Sequence, residues 1–260
     1  MNLSRRNFLK GTAAGAAGAA ATGAVLIGGA HADARTGDQA PAGHDQYPFH
    51  GPHQAGVLTP GPAAKQSYTT VAAFDVVAGT SRAGLADLMR TLTGRARVLT
   101  AGGAPADLGV SRPPADSDVL GPGAPADGLT VTVSAGSSLF DHRFGLAAAK
   151  PRRLAPMPVF PDDTPDPAWL HGDLSLQLCA NHPDTLHHAV RDLTRHTRGA
   201  LQPRWKIEGY NSPPRPAGTS RNLLGFKDGT ANPTGGQAQD LVWVADAAEP
   251  AWARGGSYQV

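Results

Sequence analysis

The chain has 260 residues, 40% of them hydrophobic, with 23 basic and 21 acidic side chains and a formal net charge of +2. Its one cysteine, Cys179, excludes an internal disulfide framework and a four-cysteine zinc site. A near-neutral balance and only 6% aromatic residues exclude a nucleic-acid platform, which needs basic and stacking side chains.

The charge is unevenly placed. Ser4-Arg5-Arg6-Asn7-Phe8-Leu9-Lys10 precedes a weakly apolar Ala/Gly stretch and then Ala30-His31-Ala32, a small-x-small exit. A basic start, apolar middle and small-residue exit make an export signal over residues 1–32. The paired arginines followed by Phe-Leu-Lys resemble the twin-arginine type. A membrane anchor is the weaker reading, because so many glycines make a poor span. Removing Arg5, Arg6 and Lys10 leaves one base fewer than acids, a net charge of minus one. The twin-arginine route carries proteins already folded, often with a cofactor inside, and with one thiol the exported chain must be held by packing.

Residues 33–48 are polar and rich in glycine and proline, and read as a disordered linker. Ser67–Val77 is β-branched and aromatic and predicts a strand. Ser81 can cap a helix with Leu85, Leu88, Met89 and Leu92 on one face. Ala101–Gly128, rich in Pro, Gly, Ala and Asp, predicts a long surface loop. Leu129–Ala135 alternates as a half-buried strand, and Leu174, Leu176 and Leu178 alternate with Ser175, Gln177 and Cys179 in a third. Pro183 opens a second helix with a Leu186, Ala189, Val190 and Leu193 stripe, closed by Gly199. Trp205–Gly209 supplies a fourth strand. The order strand, helix, strand, strand, helix, strand is the ferredoxin-like split βαβ arrangement, α+β with an antiparallel sheet. Beyond it, Leu241-Val242-Trp243-Val244 and Gly255–Val260 begin like another strand without a successor, so a truncated chain is expected.

The common catalytic signatures are absent: no phosphate loop, no His-Glu-x-x-His, no Cys-x-x-Cys and no Gly-x-Ser-x-Gly. Two constellations remain. Asp184, His188, Asp192 and His196 recur every four residues on the second helix and could face one metal ion. They lie opposite the leucine stripe, where the same row reads more simply as a solvated face. The other is Arg221-Asn222-Leu223-Leu224-Gly225-Phe226-Lys227-Asp228-Gly229-Thr230-Ala231-Asn232-Pro233. Asp228-Gly229 and Asn232-Pro233 are ordinary turn pairs. Against that stand glycines on both sides of an acid, led by Leu223, Leu224 and Phe226. Such a segment could press backbone against a flat apolar ligand and present one carboxylate to it.

Gly225-Phe226-Lys227-Asp228-Gly229 with Thr230-Ala231-Asn232-Pro233 resembles the Gly-x-x-Asp-Gly motif of the dye-decolorizing (DyP-type) haem peroxidases. Phe49–Pro60, which holds a His-Gln-x-Gly run at His53–Gly56, Ser138–Leu146 and Gly172-Asp173-Leu174 resemble further landmarks of that family. The leader and this form of the motif most resemble its exported deferrochelatase/peroxidase subgroup, which accompanies iron-uptake systems.

That resemblance implies two ferredoxin-like halves holding haem b. Asp228 would be the catalytic acid–base, taking a proton from bound peroxide and returning it to the outer oxygen. An unperturbed aspartate titrates at about 3.9, so mildly acid conditions would favour activity. Gly225, Phe226, Gly229, Thr230 and Ala231 would line the haem. The implied partners are hydrogen peroxide, a small-molecule reductant or haem as substrate, components of an iron-uptake system and further copies of the chain. No nucleic acid is expected. The implied domains are residues 49–233, an N-terminal ferredoxin-like unit carrying the motif loop, and residues 234–260, the start of a second half. The axial histidine and distal arginine of the family would lie in that second half past Val260, so no metal ligand is assigned and the chain is expected to be the N-terminal half only. His53 is expected to be structural. A non-catalytic module that binds haem or a partner stands as the alternative to the enzyme.

Overall fold

The computed structural model describes residues 46–61, 64–104, 107–112, 119–121, 123–227, 229, 232–233 and 235–257. The leader, most of the linker, Asp228, Thr230 and Ala231 lie outside the described residues.

Among the described residues, four strands and three α-helices follow in chain order: β1 (Tyr68–Val76), α1 (Arg82–Ala101), β2 (Thr130–Ala135), β3 (Leu174–Ala180), α2 (Pro183–His196), β4 (Leu201–Tyr210) and α3 (Gly235–Val242). The strands form one antiparallel sheet in the order β2-β3-β1-β4. This is the ferredoxin-like arrangement expected. Alternation puts Ala72, Phe74 and Val76 of β1 and Leu174, Leu176 and Leu178 of β3 on one face. There they meet Leu85, Leu88 and Leu92 of α1 and Leu186, Ala189 and Leu193 of α2 in a single core.

The local signals act as read. Ser81 Oγ accepts from the Gly84 N–H at 3.1 Å and starts α1. The base of the loop after α1 is closed by reciprocal backbone bonds between Gly103 and Ala124. The buried Asp127 caps α2 across the chain, accepting from the His182 N–H at 3.0 Å and from Thr185 Oγ1 at 2.6 Å.

Three expectations are corrected. β4 runs ten residues rather than five, because β1 pairs with it along its whole length. The register shifts between Ala73 and Phe74, opposite Trp205 and Pro203, so Arg204 is the extra residue beside a proline that cannot donate. Leu241 and Val242 end α3 instead of starting a strand. Finally, Asp192 does not lie on a solvated face. It is 3% exposed and accepts both arms of the Arg95 fork, each at 2.8 Å. A partner on α1, 97 residues away, carries the carboxylate inside.

Candidate functional site

On the face of the sheet away from the helices lies the first of the sequence landmarks, Phe49–Pro60. Thr130 and Thr132 of β2 are buried there as well. The cover is the segment around Gln54 and Gly56: Gln54 Nε2 donates to the Val131 carbonyl, and Gln177 Nε2 of β3 donates to the Gly56 carbonyl at 3.5 Å. Gly56 sits so close that a Cβ there would overlap Thr132 Oγ1, and its φ of 114° is open to glycine alone. His53, just before, stacks flat on Trp243 with ring centroids 3.8 Å apart and planes within 6°. Its Nδ1 is buried and meets no hydrogen-bond partner among the described residues.

Two of the other landmarks prove to be one structure. Asp173, before β3, is almost fully buried, and each of its carboxylate oxygens accepts twice. Oδ1 takes Arg143 Nη2 at 2.8 Å and Ser138 Oγ at 2.7 Å; Oδ2 takes Arg143 Nη1 at 3.0 Å and the Val76 N–H at 2.9 Å. Burial alone would push this carboxyl up. The Arg143 fork, the Val76 N–H and the Ser138 hydroxyl together outweigh burial and hold it below the usual range. Arg143 also donates through Nε to Asp141 at 2.6 Å, and its own pKa is raised by Asp173 in return.

The motif segment forms a tight hairpin around Asn222. Asn222 Oδ1 accepts from the Leu224 and Phe226 N–H groups, both at 3.0 Å, and the Asn222 N–H donates to the Phe226 carbonyl at 2.9 Å. Arg221 bridges to Lys227, and Arg221 Nη1 donates to the Gly225 carbonyl at 2.7 Å. With the Asn222, Leu224, Gly225 and Phe226 N–H groups bonded within the turn, the apolar side chains point outward: Leu223, Leu224 and Phe226 are 92, 82 and 68% exposed. Gly225 has φ 87°, with open space where a Cβ would stand, and Gly229 has φ 77°. The loop is thus locked by polar bonds and presents an exposed apolar tip.

Of the expected site residues, Gly225 and Phe226 lie in the hairpin and Gly229 follows it in sequence, while Asp228, Thr230 and Ala231 lie outside the described residues. The histidine row is not a metal site. Asp192 is spent on Arg95, His196 Nδ1 pairs with the Asp192 carbonyl at 2.8 Å, and no group of three metal-ligating side chains occurs among the described residues. The His53–Trp243 stack and the Arg143–Asp173 lock lay beyond local pattern reading. Only the clustering of charged and aromatic residues in the landmarks hinted at them.

Comparison with known proteins places these features. Residues 54–211 match the sequence family "Dyp-type peroxidase, N-terminal", and residues 219–260 match "Dyp-type peroxidase, C-terminal". The motif hairpin thus falls in the C-terminal match, and the expectation that the chain holds the N-terminal half only is overturned. Residues 2–26 match the twin-arginine translocation pathway signal sequence, so the chain is exported by that route. A deferrochelatase of Yersinia pestis is 47% identical over 92% of this chain, and one of Escherichia coli is 48% identical over 98%. The chain spans 57% and 61% of the length of these two relatives. Among solved structures, a DyP-type peroxidase from Cellulomonas bogoriensis superposes with a TM-score of 0.68 at 38% identity, covering 80% of this chain and 55% of that one. DtpA from Streptomyces lividans gives 0.68 and 38%, over 82% and 55%.

Proposed function

The chain belongs to the Dyp-type peroxidase family, and on that premise we propose that it takes part in haem-dependent reduction of hydrogen peroxide, with the Asn222-centred hairpin forming the distal wall of the haem site. The observation that carries this reading is the exposed apolar tip Leu223–Phe226 ahead of a motif carboxylate. The fit to haem rests on chemistry present in the hairpin: apolar side chains turned out of a turn in which four N–H groups, those of Asn222, Leu224, Gly225 and Phe226, are already bonded, and a Gly225 that leaves the backbone bare.

Gly225, Phe226 and Gly229, with Thr230 and Ala231, would hold the macrocycle by van der Waals contact. Bound haem supplies the redox-active iron that accepts and passes electrons. Asp228 contributes a carboxylate Oδ that takes a proton from the peroxide and returns it to the departing oxygen. That task asks only for an ionised acid within hydrogen-bond reach. Asn222, Arg221 and Lys227 lock the turn that precedes it in sequence. The name carried by the relatives extends the reading to release of iron from haem. A small-molecule reductant, an iron-uptake system and self-association belong to the same proposal.

The test is Asp228→Asn in the exported full-length chain, read by the Soret band and by peroxide turnover. Haem binding is expected to persist while turnover falls by about 10²–10⁴, the span of a lost general acid–base. Turnover equal to the parent's would remove Asp228 from the mechanism.

A further inference from the structure

One side of the sheet is covered by α1 and α2, which are joined by the bidentate Arg95–Asp192 pair. Their inner faces, through Leu88, Leu92, Leu186 and Leu193, meet the core. What they turn outward is mostly positive. α1 carries Arg90 and Arg97, α2 carries Arg191 and Arg195, and Arg198 stands in the turn that follows, all five exposed. Arg191 and Arg195 are about one helical turn apart and share the face opposite Ala189 and Leu193.

The carboxylates of the same helices do not cancel this charge. Asp192 is buried and bound by Arg95, and Asp87 pairs with Arg90 at 2.6 Å. Asp184 lies in the first turn of α2, about two turns before Arg191. Arg191 and Arg198 pair with no carboxylate among the described residues. With the leader removed the chain has a net charge of minus one, so the excess is local to this face. Histidine apart, every basic side chain of the two helices is arginine. A guanidinium forks onto phosphate oxygens through two parallel hydrogen bonds, where an ammonium offers only a point charge. Spread over two adjacent helices, such groups suit an extended anionic plane better than one small anion.

We propose that the arginine face of α1 and α2 docks on the anionic phospholipid surface of the membrane across which the chain is exported. The twin-arginine signal takes the chain through that membrane, so its headgroups are the phosphate array it meets on leaving. No helix among the described residues is long and apolar enough to cross a membrane, so the contact is peripheral and salt-sensitive. Docking by the helices leaves the other face of the sheet, with Gln54 and Gly56 over β2 and β3, turned away from the lipid.

The experiment is vesicle co-sedimentation of the exported chain, freed of its leader so that Arg5 and Arg6 contribute nothing. Vesicles of equal parts phosphatidylglycerol and phosphatidylcholine are compared with phosphatidylcholine alone. Binding to the mixed vesicles only is expected at low salt. Salt at about 1 M should release it, since the screening length falls to about 3 Å. Arg191→Gln/Arg198→Gln should weaken binding roughly 10–30-fold, about fivefold for each arginine at an anionic surface. Arg152→Gln/Arg254→Gln, the same charge change at exposed sites outside the helices, should leave it nearly unchanged. No binding to the mixed vesicles, equal binding to both vesicles, or equal loss in the two variant pairs overturns the proposal. Heparin serves as a soluble polyanion: retention on it without vesicle binding also overturns the proposal and gives the face to a soluble partner. All four substituted side chains are exposed, so the variants test contact rather than folding.

Discussion

His182 and Asp173 respond to pH in opposite directions because each is paired in the folded state. The Asp127 carboxylate, 2.7 Å from His182 Nδ1, raises the imidazole above its ordinary 6.5 despite some burial. A raised folded pKa gives stability that is complete below the unfolded value and lost as pH rises through the folded one. Asp173 is depressed, so its contribution is present above the unfolded value and disappears as pH falls through the folded one. Thermal unfolding from pH 5 to pH 9 should therefore show a melting temperature that declines above neutrality. His182→Ala should flatten that decline, and an acid-side titration should show the corresponding flattening in Asp173→Asn. The His182 effect will be small, since its ring is largely exposed and water screens the pair.

The element most dependent on tertiary packing is α2. The sequence stripe Leu186, Ala189, Val190 and Leu193 was nearly the buried set, but Val190 lies at its edge and Thr185 and Asp192 join it instead. A buried polar residue is invisible to a hydrophobic period, because its partner decides its position: Arg95 for Asp192, Asp127 for Thr185. Leu193, 1% exposed, sits at the centre of the core. Leu193→Ala should cost about 2–5 kcal/mol in denaturant unfolding, the range for a buried leucine cut back to a methyl group. Val190→Ala should cost clearly less, and equal losses would contradict this placement of the helix.

At the scale of the whole molecule, residues 243–257, from the family's C-terminal match, are packed onto the sheet unit. Glu249 is buried and accepts the Arg152 and Arg153 N–H groups at 2.8 and 3.3 Å. Trp252 stacks on Phe140 with centroids 5.8 Å apart and donates through Nε1 to the Ala149 carbonyl. Trp243 meets His53 from the other end of the fold. These contacts tie the tail to the Ser138–Arg153 loops and to the N-terminal segment together. Glu249→Ala leaves two buried-side N–H groups without their acceptor, a loss of about 1–3 kcal/mol. Hydrogen exchange at Arg152 and Arg153 should accelerate at least tenfold in that variant, while exchange in β3 stays unchanged. Uniform acceleration would mean the segment folds as one with the core.

The export leader, the two amphipathic helices, the positions of all four strands and the Gly225–Gly229 motif could all be read from the sequence, because each rests on contacts within a few residues. Strand alternation, a serine cap and a proline at the first helical turn act over one turn or one pleat. The full length of β4, the burial of Asp192 and the Arg143–Asp173 lock were decided by tertiary structure alone. Each depends on residues about 30 to 140 positions apart meeting across a sheet whose register no local signal encodes. The sequence thus determined which residues could carry chemistry, and the fold decided which of them meet.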